Sequence, residues 1–289
     1  MKTTTSASGT PSNSRIKRFN RQVGLHQQGS GFYQLSYTAE QCEDLLECLD
    51  VMLKNTIERA PRREDGYDLE RLTLAGHARE EHKLERAIYG AWRPGGHLGG
   101  TAFSTDCDFI TFYQVRIQSP GKRSKNAGWG RVDLVGVGNI ERVPVLIELK
   151  KAGAKDTLLR VVVEIAAYAI ALRESWPGLR NEWSAEMTRL ELQGCVPEQW
   201  QTCRLVCAAP QAFWDRAVGL RSKNGAMPLR AWKPFLQVLK AFARFGLTFE
   251  FVSVATETSN KASNKDDLPR ILGAKTVPLQ EYAELMARW

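Results

Sequence analysis

The 289-residue chain carries 40 lysines and arginines against 32 acids, a formal charge of +8, and is 43% hydrophobic. That supplies a large buried core, best read as one elaborated domain rather than two. No apolar run approaches a membrane span, no apolar signal core opens the chain and the six cysteines form no Cys-x-x-Cys pair. A membrane protein, a disulfide scaffold and a zinc module are therefore set aside in favour of a soluble, cytoplasmic protein with reduced thiols.

Residues 1–30 hold Lys2, Arg15, Lys17, Arg18 and Arg21 and no acid. This Ser/Thr/Gly-rich stretch predicts a disordered basic tail over 1–31, either a nucleic-acid-binding arm or a solvated leader. A helical extension is expected at 32–66, with a helix over about Ala39 to Lys54, Thr38 as its cap and Gln41 as its box partner. The main domain then covers 67–289. It opens on a helix from about Asp68 to Tyr89, where Leu74, His77, Glu81, Leu84 and Ile88 recur along one stripe, putting Glu81 on the core-facing side with Glu85 one turn on. The glycine-rich stretch Arg93 to Gly100 reads as a connector. A loop from Pro120 to Arg131 follows the first strand and sets Lys122, Arg123 and Lys125 within reach of a phosphate backbone. In the same loop Trp129 is either a turn anchor or a base-stacking platform.

The next two segments, Arg131-Val-Asp-Leu-Val-Gly-Val and Pro144-Val-Leu-Ile-Glu-Leu-Lys-Lys151, read as apolar strands. Side chains alternate along a strand, so Glu148 and Lys150 share a face with Leu146, and Asp133 shares one with Arg131 and Val135. A hairpin turning through Asn139 to Arg142 pairs Gly138 with Val143 and sets Asp133 opposite Glu148. A turn one residue longer or shorter separates them. Two carboxylates and an ammonium on buried strands need pairing or a cation to offset desolvation, which points to a divalent-metal site.

Downstream, Asp156 is the expected N-cap of an apolar helix from Thr157 to Leu172, on which Arg160, Glu164 and Tyr168 form one polar stripe. A strand from Thr202 to Ala208, a helix start at Ala212 to Arg216, a basic amphipathic helix from Leu229 to Phe245 interrupted at Pro234, and a strand from Leu247 to Val254 complete the pattern. Arg221, Lys223, Arg230, Lys233, Lys240 and Arg244 lie at 220–245 without one acid, a candidate phosphate-contacting wall.

The Asp133, Glu148, Lys150 spacing and the element order resemble the PD-(D/E)XK phosphodiesterase superfamily over roughly residues 69 to 255, although Val132 stands where the family name has proline. The resemblance implies an α/β, restriction-endonuclease-like layered sandwich with a central mixed β-sheet flanked by helices. It implies Mg²⁺ or Mn²⁺ held by Asp133 and Glu148, with the carbonyl of Leu149 as a further ligand, and Lys150 orienting the attacking water. His77-Ala-Arg-Glu-Glu81 and Glu164-Ile-Ala-Ala-Tyr168 resemble two motifs of the exonuclease-like branch. They make Glu81 a third metal-site acid, with Glu85 as fallback, and give Glu164 and Tyr168 a site role. Glutamate replaces the branch's glutamine at 164, so pairing with Arg160 or Lys150 is the competing assignment. The expected partner is nucleic acid, DNA first, contacted by Lys122, Arg123, Lys125, Arg131 and Lys151. The alternative is a non-catalytic or partner-activated nucleic-acid-binding module that keeps the nuclease fold.

Overall fold

The computed structural model describes residues 24–27, 39–60, 80–105, 107–117, 130–140, 142–192, 196–197, 199–218, 229–257, 268–279 and 281. A 3₁₀ turn at Leu25–Gln27 precedes α1 (Ala39–Arg59), α2 (Glu80–Trp92), β1 (Ile110–Ile117), β2 (Gly130–Val137) and β3 (Pro144–Leu149). Then follow α3 (Leu158–Glu174), α4 (Trp176–Arg189), β4 (Cys203–Pro210), α5 (Gln211–Ala217), α6 (Leu229–Ala243), β5 (Leu247–Thr256) and β6 (Ile271–Thr276). The strands form one six-stranded sheet in the order β1-β2-β3-β4-β5-β6. It is antiparallel from β1 to β3, parallel from β3 to β5, and antiparallel again at β6. The two parallel joins need long crossovers, which α3 with α4 and α5 with α6 supply.

Strand alternation divides the apolar residues between two layers. Leu134, Val145, Ile147, Val206 and Val252 pack toward Leu84, Ile88 and Trp92 of α2. On the other face, Val135, Leu146, Leu205 and Phe251 meet α1, α3, α4 and α6. The result is a layered α/β sandwich with a mixed sheet flanked by helices. Helix α3 is apolar nearly all round because it packs against the sheet, α1, α4 and the 3₁₀ turn at once. Trp176 and Trp183 of α4, with Trp200, form an aromatic cluster whose ring centroids lie 4.9 to 6.0 Å apart. Phe112 of β1 stands edge-on to Trp183 at 4.9 Å, so α4 is pinned to the sheet.

Several expectations change. Leu25 lies inside the stretch read as a disordered tail, yet it is fully buried and its N–H donates to Thr56 Oγ1 at 2.8 Å. Helix α1 runs to Arg59 and shares a core with α3 and α6. The N-cap of α3 is Thr157, whose hydroxyl accepts from Arg160 N, while Asp156 is taken by an ion pair with the Arg160 guanidinium. Helix α6 passes through Pro234 without interruption. The proline removes one ladder donor, and the buried stripe of Trp232, Phe235, Leu239 and Phe242 outweighs that loss. Helix α4 and strand β6 are additions to the expected order. Thr38, His77 and the beginning of the helix expected from Asp68 lie outside the described residues. No helix among the described residues is long and apolar enough to cross a membrane.

Candidate functional site

The β2–β3 hairpin adopts the register that its turn residues imply. Val137 pairs with Pro144, Val135 with Leu146 and Leu134 with Ile147, and Gly138 N donates to Val143 O at 2.9 Å. The next pair in line is Asp133 with Glu148, but the ladder stops one step before it. In a continued ladder the N–H of Leu149 would bond to the carbonyl of Val132. Instead it donates to Asp133 Oδ2 at 2.8 Å. The carboxylate has taken the place of a backbone acceptor, and the two strands part where the chemistry-bearing residues sit.

On β3 and just beyond it, Glu148 is 4% exposed and Lys150 7%. Lys150 Nζ donates to Glu148 Oε1 at 2.5 Å and lies 3.5 Å from Glu164 Oε2 on α3. Glu164 Oε1 accepts from the Tyr168 hydroxyl at 3.2 Å, and Arg160 approaches Glu164 Oε2 at 4.0 Å. The stripe on α3 therefore joins this cluster, with Glu164 paired to Lys150 and Arg160. Tyr168 fits only because β2 begins on Gly130, with φ at +118°. A Cβ there would stand 2.3 Å from the tyrosine oxygen.

On helix α2 the acid buried nearest the cluster is Glu85. Glu85 is 2% exposed and accepts from Gln114 Nε2 at 2.8 Å, whereas Glu81 is half-buried one turn earlier. The stripe read through Glu81, Leu84 and Ile88 is buried at Leu84 and Ile88, but Glu85, the fallback acid, is buried more deeply than Glu81 because α2 also turns Glu85 and Trp92 inward. Gln114 in turn accepts from Arg131 Nη1 at 2.8 Å through its amide oxygen.

Burial and mutual repulsion set the charges. Desolvation, then the Glu148 and Glu85 charges, holds the Asp133 carboxyl well above its ordinary range. Glu148 is pushed up to about 8, burial outweighing the help it gets from Lys150. Burial also raises Glu85, against the hydrogen bond from Gln114. Burial works to lower the Lys150 ammonium, but Glu148, Glu164 and Asp133 more than offset it, and its pKa ends above the ordinary value. Four carboxylates, Glu85, Asp133, Glu148 and Glu164, thus face one ammonium, Lys150, with Arg160 shared by Asp156.

That donor set suits a hard divalent cation. Glu85, Asp133 and Glu148 offer oxygens only, they repel one another, and Glu148 Oε2 is buried with no hydrogen-bond partner among the described residues. Among the described residues, no three His, Cys, Asp or Glu side chains are drawn into a metal-holding group, and Lys150 and Leu149 N each engage one oxygen, of Glu148 and Asp133 respectively.

Other expected contacts fall at the rim or beyond view. Arg131 is exposed and Lys151 lies 3.7 Å from Glu80. Leu149 is buried on β3 beside Ala208 of β4. Lys122, Arg123, Lys125, Trp129, Arg221 and Lys223 lie outside the described residues. On α6 and the turn that follows it, Lys233, Lys240 and Arg244 form an exposed stripe, while Arg230 approaches Glu40 at 3.5 Å. A cavity of about 570 Å³ lined by Trp214, Val254, Ala274 and Val277 shares no residue with the carboxylate cluster. Gln114 and Gly130 had no signal in the sequence beyond their place beside the Asp133 strand. Comparison of the chain with protein-family models, curated proteins and solved structures finds no match.

Proposed function

We propose that the protein is a metal-dependent nuclease of PD-(D/E)XK type, with a restriction-endonuclease-like fold, that hydrolyses phosphodiester bonds in nucleic acid, DNA first. The observation that carries this reading is the convergence of Glu85, Asp133, Glu148 and Lys150 where β2 and β3 part. In this reading Asp133, Glu148 and Glu85 hold Mg²⁺ or Mn²⁺. When bound, the cation supplies Lewis acidity to the scissile phosphate and the attacking water. Lys150 holds that water by hydrogen bond and stabilises negative charge as it develops on phosphorus-bound oxygens. Glu164 keeps the ammonium charged and aimed, and Tyr168 orients Glu164. Arg131 and Lys151, at the rim, take the phosphates on either side of the bond to be cut.

Purified protein incubated with supercoiled, linear duplex and single-stranded DNA tests this. Cutting is expected with Mg²⁺ or Mn²⁺, none with EDTA, and a loss of about 100-fold or more in Asp133→Ala and Lys150→Ala. Nicked circles would assign internal cleavage, and shortened ends would assign an exonuclease. A protein that binds DNA equally in EDTA and never cuts belongs to the second reading, a non-catalytic or partner-activated binding module. What favours that reading is the direct Lys150–Glu148 pair, in which the chain's own cation already engages one of the acids.

A further inference from the structure

Gln114 is the most unusual residue around this site. It sits in the middle of β1 with φ at +48°, a left-handed conformation that a non-glycine residue adopts at a cost and keeps only where its surroundings demand it. In the β1–β2 register Tyr113 faces Leu134 and Val115 faces Val132, so Gln114 stands opposite Asp133. The kink has a consequence for packing. Phe112 before it, and Val115 and Ile117 after it, all join the same core layer, although strict alternation would send the later pair to the opposite face. On β2, Val132 and Val135 share that layer across the same point. Both strands change phase at Gln114 and Asp133, and the Gln114 side chain is thereby turned toward α2.

What it reaches there differs at its two ends. The amide nitrogen donates to Glu85, buried in the carboxylate cluster, and the amide oxygen accepts from Arg131, exposed at its rim. One neutral amide, 8% exposed, thus spans the distance between an acid and a surface cation. A carboxylate in its place could accept from Arg131 but could not donate to Glu85, and a lysine could do only the reverse.

We propose that Gln114 is a positioning residue that couples cation binding at the carboxylates to phosphate binding at Arg131. This rests on the nuclease reading above. Fixing Glu85 holds the third carboxylate toward Asp133 and Glu148, and fixing Arg131 points its guanidinium out to a phosphate. Ordering either end of the amide orders the other, so each ligand tightens the binding of its companion by the same factor. The strained backbone of β1 is kept because a relaxed strand would turn the amide away from α2.

The test measures equilibrium binding. Mn²⁺ affinity is taken by calorimetry, and duplex oligonucleotide affinity by fluorescence anisotropy in EDTA and in Ca²⁺, an oxygen-seeking cation used as the probe. The proteins are wild type, Gln114→Leu and Gln114→Gly. The glycine variant accepts the left-handed backbone without strain, so it keeps β1 folded while removing the amide. Both variants are expected to bind Mn²⁺ about 10-fold more weakly, as for other partners that orient a metal ligand. Ca²⁺ is expected to tighten wild-type binding of the oligonucleotide about 5-fold or more, and to lose that effect in both variants. Variants that keep the wild-type Mn²⁺ affinity and the Ca²⁺ effect overturn the coupling, while metal-dependent cutting by the wild type leaves the nuclease reading standing. A wild type that neither binds Mn²⁺ nor cuts removes the nuclease reading, and the coupling with it.

Discussion

At Glu148, solvation, charge and hydrogen bonding pull against one another, and the balance has a measurable sign. The unfolded chain gives up this proton near the ordinary 4.5 and the folded chain near 8, so across that interval the folded state holds more protons. Stability must therefore fall as pH rises through it, and the raised Asp133 and Glu85 act in the same direction. His26, lowered to about 4 by burial and by Arg59, acts the other way, but only below its ordinary 6.5. Lys150, raised above its ordinary 10.5, acts only at higher pH. Between pH 6.5 and 8 the carboxyls dominate. Urea unfolding of the metal-free protein should show a loss on the order of a few kcal/mol from pH 6.5 to 8, and Mn²⁺ should restore it at pH 8. A midpoint that does not move would mean that Glu148 stays ionised throughout, held by Lys150.

Between elements, a tight constraint lies where β2 begins under α3. Gly130 has a backbone angle that side chains rarely tolerate, and its missing Cβ is the space that the Tyr168 hydroxyl occupies. Gly130→Ala should cost about 2 kcal/mol or more, from backbone strain and the clash together. It should also push Tyr168 off Glu164. Adding Tyr168→Phe removes the nearest offending atom and should recover part of the loss. Chemical denaturation of the single and double variants checks this, and a double variant no more stable than Gly130→Ala would place the whole cost in the backbone. Helix α3 itself starts under a competition of the same kind. Thr157 caps it because Asp156 is drawn off by Arg160, so a local capping rule yielded to an ion pair one turn into the helix.

For the molecule as a whole, charge placement decides what can approach four clustered acids. Of the positive charge on α6 and the turn after it, the Lys233, Lys240 and Arg244 stripe is exposed along one face. If nucleic acid lies along that face, Lys233→Glu with Lys240→Glu should weaken duplex binding about 10-fold in EDTA and lower the salt slope of log K by about 2, without changing the melting temperature. Binding unchanged in both affinity and slope would leave the stripe as a solvated helix face and shift the contact to Arg131 and Lys151.

Much of this was legible in the chain because it depends on neighbours in sequence. The hairpin register follows from turn length, and that placed Asp133 next to Glu148 in line. The Glu148–Lys150 spacing puts both on one side of a strand, and the i,i+4 step brings Glu164 to Tyr168. What lay beyond reach depends on packing between distant segments. Which face of α2 turns inward is set by the layer it meets, so Glu85 is buried beside the acids while Glu81 stays half-buried one turn earlier. Gln114 looks like an ordinary strand residue until β1 is kinked against β2 with α2 above it. Leu25 reads as tail until the end of α1 offers Thr56 to its backbone. Local sequence can state what a side chain is able to do, but its burial, its partners and its charge state come from groups tens of residues away, brought near only when the sheet and its helices close around a common core.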